Sequence, residues 1–216
     1  MYNTVFLDLD GTLTDSKPGI VNAIKYALEK LNVPMPDADR LNKFIGPPLM
    51  DSFCAECHMD RESAGAALGY YREYYSEKGA FENSVYDGVK EMLEELKANG
   101  IELVLATSKP EIFSVRILAR FGLDKYFDHV AASTLDESRA DKESVIRYGL
   151  EIADEKDPAR IVMIGDRYYD IEGAKTFGLD SIGVLYGFGE EEELRHHGAS
   201  YIAASPAQVA DIVLGR

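Results

Sequence analysis

Several things that would tie a chain to an oxidising compartment, a membrane or a nucleic acid are scarce in this sequence. Two cysteines in 216 residues cannot build a disulfide framework, which excludes the disulfide-stapled class and sets the expectation of a reducing cytoplasm. Long apolar runs are missing too: none reaches the roughly 20 residues a transmembrane helix needs. The opening residues carry neither the basic start nor the apolar run of a signal peptide, so no membrane association is expected. Basic residues are few beside acidic ones, 23 against 38, for a formal charge of -15. That balance excludes nucleic acid and anionic membranes as partners, because both need a basic footprint. An anionic small molecule would be repelled everywhere except at a locally positive spot, such as a divalent cation beside a lysine. There is no internal repeat and no low-complexity segment.

What is present is an alternation of strand-like and helix-like segments. Strands are predicted at Thr4–Leu9, Glu102–Thr107, His129–Ala132, Arg160–Ile164 and Asp180–Val184, with a short one near Ala199–Ile202. Helical periods occupy Val89–Asn99, Pro110–Phe121 and Tyr169–Phe177, and a glycine follows each (Gly100, Gly122, Gly178) where a helix commonly ends. Such alternation predicts a parallel sheet covered by helices. One region breaks it. From Lys17 to Gly79 the apolar spacing is helical throughout, with one stripe of Ile20, Ile24, Ala27, Leu28 and Leu31 and another including Ala66, Leu68, Tyr71, Tyr74 and Tyr75. The expected architecture is therefore an α/β, Rossmann-like three-layer core with a small all-helical cap inserted after the first strand. Residues 1–14 and 83–216 would form the core, and residues 15–82 the cap.

Chemistry-bearing residues gather at the predicted carboxyl ends of these strands, where open α/β sheets place their sites. In Thr4-Val5-Phe6-Leu7-Asp8-Leu9-Asp10-Gly11-Thr12, a strand's period of two aims Asp8 and Asp10 the same way. Two neighbouring anions repel unless a cation or a proton lies between them, which suggests a metal-assisted site with one carboxylate to attack and one to move protons. A polar turn after an edge strand would use the same residue types. A second segment, Leu103–Ser108, ends in the hydroxyls of Thr107 and Ser108; a helix N-cap before Pro110 is the alternative use of these two. Lys142 opens the helix after the third strand. The fourth segment, Ile161–Asp170, releases Asp166 and Asp170 at i,i+4 spacing.

With these four segments in this order, the chain resembles the haloacid dehalogenase-like (HAD-like) phosphatase superfamily over nearly its whole length. The inserted helical region is similar to the cap of phosphoglycolate phosphatases and β-phosphoglucomutases. Gly46-Pro47-Pro48-Leu49, Tyr86-Asp87-Gly88, Thr107-Ser108-Lys109-Pro110 and Gly187-Phe188-Gly189 look closest to the phosphoglycolate phosphatase and 5′-nucleotidase-like branch. The resemblance implies that Asp8 is a nucleophile forming an aspartyl-phosphate, and that Asp10 is the general acid/base. It implies Mg²⁺ held by Asp8, the backbone carbonyl of Asp10 and Asp166, with Asp170 as a further ligand or an anchor behind them. Gly11, Thr107 and Ser108 would receive phosphoryl oxygens. Lys142 would offset their charge, with Lys109 as its competitor for that role. Phe44 and the Gly46–Pro48 loop would select the leaving group. The substrate would be a small phosphate monoester of the phosphoglycolate or nucleoside 5′-monophosphate class.

Two rivals stay open at this point, a phosphomutase of the same fold and a non-enzymatic phosphorylatable receiver. Monomer and homodimer are equally open. Cys54-Ala55-Glu56-Cys57-His58 lacks a second pair of metal ligands nearby, so it reads as ordinary cap residues rather than a zinc site.

Overall fold

The computed structural model describes residues 2–136 and 138–216. In chain order its elements are β1 (Thr4–Leu7), β2 (Thr14–Asp15), α1 (Lys17–Leu31), α2 (Ala38–Asn42), α3 (Leu49–Glu56), α4 (Arg61–Glu77), β3 (Ser84–Val85), α5 (Val89–Ala98), β4 (Glu102–Pro110), α6 (Glu111–Phe121), β5 (His129–Ser133), α7 (Lys142–Ile152), β6 (Ile161–Gly165), α8 (Tyr168–Thr176), β7 (Asp180–Val184), α9 (Glu191–His196), β8 (Tyr201–Ala203) and α10 (Pro206–Leu214). The chain divides into two compact units, one of residues 1–14 and 85–216 and one of residues 15–84.

The first unit is an α/β fold around a six-stranded sheet of order β5-β4-β1-β6-β7-β8, parallel throughout. β1 lies in the middle, and the chain fills one side of it before crossing to the other, which makes the carboxyl end of β1 the switch point of the sheet. All four residues of β1 are buried, as expected of a parallel strand covered on both faces. Phe6 faces α7 and α8, in a core with Val104, Ala106, Val145, Ile146, Met163 and Ala174. Val5 and Leu7 alternate to the opposite face and are equally buried. At the amino-terminal edge Glu102 ties three segments together. It accepts hydrogen bonds from Thr4 Oγ1 (2.5 Å) and the Asp154 amide (2.8 Å) and lies 3.2 Å from His129 Nε2.

Several local expectations shift. β1 ends at Leu7, so Asp8 and Asp10 sit in the turn that follows. β4 runs on through Ser108 and Lys109 to Pro110, with its pairing to β5 breaking register between Thr107 and Pro110. That overrun corrects the N-cap reading of Thr107 and Ser108. α6 begins only at Glu111 with Pro110 at its cap, and Thr107 Oγ1 instead accepts the Lys109 amide at 3.2 Å. The expected glycines do end α5, α6 and α8, with Gly100, Gly122 and Gly178 all at positive φ.

The second unit is helical, with α4 packed on α1 and α3. The α1 stripe is buried from Ile20 to Leu28. The α4 stripe is rotated from its expected position: Ala64, Ala67, Leu68, Tyr71 and Tyr75 are inside while Ala66 is exposed. Tyr71 and Tyr75 stack at 5.2 Å. Cys54 and Cys57 are free thiols, and Cys57 caps the end of α3. Among the described residues no helix is long and apolar enough to cross a membrane.

Candidate active site

The carboxyl edge of the sheet gathers Asp8, Asp166 and Asp170, each of which offers one carboxylate oxygen within 4.8 Å of the other two. Each comes from a different local device. Asp8 continues β1, its amide donating to the Ile164 carbonyl (3.0 Å) so that the turn stays registered on β6. Asp166 follows Gly165 at the end of β6 and is fully buried. Asp170 lies in the first turn of α8, where its Oδ2 accepts the Arg167 amide at 3.1 Å.

Lys142 is the cation that holds this cluster. Its Nζ donates to Asp8 Oδ1 (2.8 Å) and the Ala106 carbonyl (3.0 Å) and ion-pairs with Asp170 Oδ1 (2.7 Å). The sequence puts it there through a cap: Asp141 Oδ1 accepts the Ser144 amide at 2.8 Å, which starts α7 at Lys142. A cation in the first turn opposes the helix dipole by roughly 0.3–1 kcal/mol. Here the two carboxylates outweigh that cost. Burial alone would lower the Lys142 ammonium's pKa, yet Asp170 and Asp8 hold it above the ordinary lysine value.

One ammonium does not balance three carboxylates. Burial pushes Asp8 up to about 6, against the pull of Lys142 and with help from Asp170 and Asp10. Burial, then the charges of Asp170 and Asp8, raise Asp166 well above the carboxylate range. Asp166 Oδ2 accepts the Phe188 amide at 2.8 Å, whereas its Oδ1 is buried with no hydrogen-bond partner. Buried carboxylates with an orphaned oxygen are the hard-oxygen donor set that suits a divalent cation such as Mg²⁺. The residues fit that ion.

Backbone without side chains surrounds Asp166. A Cβ on Gly11, which has φ +83°, would stand 2.2 Å from Asp166 Oδ2; one on Gly187 would stand 2.4 Å from its Cβ, and one on Gly189 would stand 1.8 Å from its carbonyl oxygen. Sequence reasoning gave Gly187-Phe188-Gly189 no role of its own. The signal was there, since two alternating glycines after a strand mark a place where backbone approaches another group.

Asp10 stands apart from the trio. Its Oδ2 pairs with Lys109 Nζ at 2.8 Å, a contact that sequence spacing did not reveal because it depends on the register break in β4. The two lysines thus take different partners, Lys142 on Asp8 and Lys109 on Asp10. Thr107 is buried and Ser108 half-buried beside Lys109 on the same strand end. Phe44 and Gly46 belong to the helical unit. The Phe44 ring is buried and meets Phe53 edge-on at 5.2 Å, and Gly46 is exposed with φ +110°.

The chain is similar to several known proteins. A family model described as haloacid dehalogenase-like hydrolase matches residues 5–184. A 5′-nucleotidase of Pseudomonas aeruginosa is 40% identical over 98% of this chain and 96% of its own length. Tyrosine-protein kinase PtkA of Mycobacterium tuberculosis is 38% identical over 87% of this chain, which spans 64% of that longer protein. Among solved structures, a predicted phosphatase from Clostridium acetobutylicum superposes with a TM-score of 0.94 at 48% identity, covering all of both chains.

Proposed function

We propose that this chain, which belongs to the haloacid dehalogenase-like hydrolase family, is a Mg²⁺-dependent phosphatase that hydrolyses a small phosphate monoester through a phosphate carried on Asp8. One observation carries the reading: the Lys142 ammonium is clamped between Asp8 and Asp170 at 2.8 and 2.7 Å, with the orphaned Asp166 oxygen beside them. A phosphate ester repels nucleophiles with its own charge, so a site that concentrates positive charge around an already ionisable carboxylate suits it.

The chain's own groups divide the work. Lys142 grips Asp8 Oδ1 and leaves Oδ2 as the attacking oxygen. Oδ2 bonds to phosphorus as the ester P–O bond breaks, and Asp10 gives its proton to the departing alkoxide. Water then attacks the acyl-phosphate while Asp10 takes a proton from it, releasing inorganic phosphate and restoring the Asp8 carboxylate. Proton transfer of this kind contributes about 10²–10⁴-fold in rate. Thr107, the Ser108 amide and the turn at Gly11 hold the phosphoryl oxygens, and Lys142 offsets their charge. Mg²⁺ bound by Asp8, Asp166 and the Asp10 carbonyl, with Asp170 anchoring behind, would supply charge neutralisation that one lysine cannot. Both Asp170 oxygens are already engaged, by Lys142 and by the Arg167 amide, which favours the anchor role.

The likeness to a nucleotidase supports a nucleoside 5′-monophosphate, and phosphoglycolate-class esters remain the other candidate. The core grips only the phosphoryl group, and Phe44 with the Gly46–Pro48 loop is proposed to read the remainder. The likeness to a protein named a tyrosine kinase gives the same phosphoenzyme a second fate, transfer to a hydroxyl. The test is steady-state phosphate release from a panel of esters with Mg²⁺ or with chelator. Release that depends on Mg²⁺ is expected. Release unaffected by chelator overturns the metal, and phosphate recovered on an acceptor hydroxyl instead of in water overturns the hydrolase.

A further inference from the structure

Lys109 has a more particular place than a general phosphate-binding lysine. It lies in the stretch where β4 overruns its pairing with β5, and its own backbone is pinned on both sides. Its amide donates to Thr107 Oγ1 (3.2 Å), and its carbonyl accepts from the buried Ser114 hydroxyl on α6 (3.3 Å). From that fixed base its Nζ reaches Asp10 Oδ2 at 2.8 Å, with the two side chains only 6% and 16% exposed. The other Asp10 oxygen, Oδ1, is buried and has no hydrogen-bond partner. Asp170 Oδ1 likewise lacks a hydrogen bond but is ion-paired with Lys142 at 2.7 Å, whereas no ion pair engages Asp10 Oδ1 among the described residues. Among the described residues Lys109 is the contact that orients the Asp10 carboxylate.

We propose that Lys109 is a positioning residue that acts on the reaction through Asp10, holding its carboxylate in a single orientation so that Oδ1 serves the proton transfers. The proposal rests on the assignment of Asp10 as the acid/base and adds the group that aims it. It moves Lys109 out of direct substrate recognition. A proton-transfer group has to sit within hydrogen-bond reach of its target, and misplacing such a group by about 1 Å can cost on the order of 10²-fold in rate. Without Lys109 the Asp10 side chain is free to leave its orientation, and the buried charge loses its partner.

A double-mutant cycle tests this. Lys109→Met should lower kcat on the order of 10²-fold and leave KM for a small ester within about twofold, since the lost interaction serves the chemical step. Lys109→Arg, which keeps the charge, should recover much of that loss. In an Asp10→Asn background Lys109→Met should change kcat by less than about twofold, because residues acting as a unit are not additive. A raised KM with kcat intact, or the full loss repeated in the Asp10→Asn background, overturns the proposal and returns Lys109 to the substrate. If Lys109→Met does not fold, as judged by circular dichroism, Lys109→Gln and the doubly neutral Lys109→Met/Asp10→Asn variant carry the comparison. Urea unfolding of the same four proteins reads the pair without any assay. A missing coupling there overturns the contact itself, while coupling in a protein that releases no phosphate from any ester condemns the phosphatase reading instead.

Discussion

At the scale of single residues, the chemistry depends on how four acids and two lysines are paired at one edge of the sheet. Lys142 is the residue whose loss should be most instructive, because it is buried and serves Asp8, Asp170 and a carbonyl at once. Lys142→Met leaves two buried carboxylates facing each other without a counter-ion, and breaking such a pair costs roughly 3–5 kcal/mol. The variant should lose activity and unfold at lower urea, and added Mg²⁺ should restore stability before it restores turnover. A Lys142→Met protein with wild-type activity would remove this lysine from the site. The convergence of Asp8, Asp166 and Asp170 was legible in the sequence because strand ends and helix starts fix where such residues emerge, whereas Lys142 was singled out through the resemblance to the family. The Lys109–Asp10 pair was not. Its reach depends on an irregular strand end, and nothing in the spacing of Thr107-Ser108-Lys109-Pro110 announces a break in register.

At the scale of elements, the N-terminus of α7 shows how a local rule delivers a functional group. The Asp141 side chain caps the helix, which fixes Lys142 in its first turn. Asp141→Ala should cost about 1 kcal/mol of stability. It should also lower kcat by loosening Lys142, a change visible when urea midpoints and steady-state rates are measured on the same preparation. Lowered stability with unchanged kcat would show that Lys142 keeps its place without the cap. The longer elements were readable for the reasons that make them stable: β1 and β6 carry apolar residues on both faces, and α5, α6 and α8 end at glycines. The two-residue strands β2 and β3 are too short to show a period. The turn of the α4 stripe toward Ala64 and Ala67 also escaped, because small residues and tyrosines mark a helix face weakly.

At the scale of the whole molecule, charge and protonation decide behaviour together. Burial raises Asp8 from 3.8 to about 6 and raises Asp166 as well. Between pH 3.8 and about 6 the metal-free folded protein therefore holds protons that the unfolded chain has already released. The contribution of these two groups to stability is fullest below that window and is lost as pH rises through it. A divalent ion reverses the trend by stabilising the ionised carboxylates, contributing about 2.7 kcal/mol when free Mg²⁺ is about 100 times its Kd. Thermal melts should thus show a Mg²⁺-induced rise that is large at pH 7.5 and small at pH 4.5; an equal rise at both would place the ion elsewhere on this acidic surface. The most direct measurement concerns Asp8 itself. Asp10→Asn protein, mixed with a phosphate ester and Mg²⁺ and quenched in acid, should carry one phosphate on the peptide containing Asp8, found by mass spectrometry and absent when Asp8 is changed to Asn. Steady hydrolysis by the Asp8→Asn variant at the wild-type rate would contradict the account.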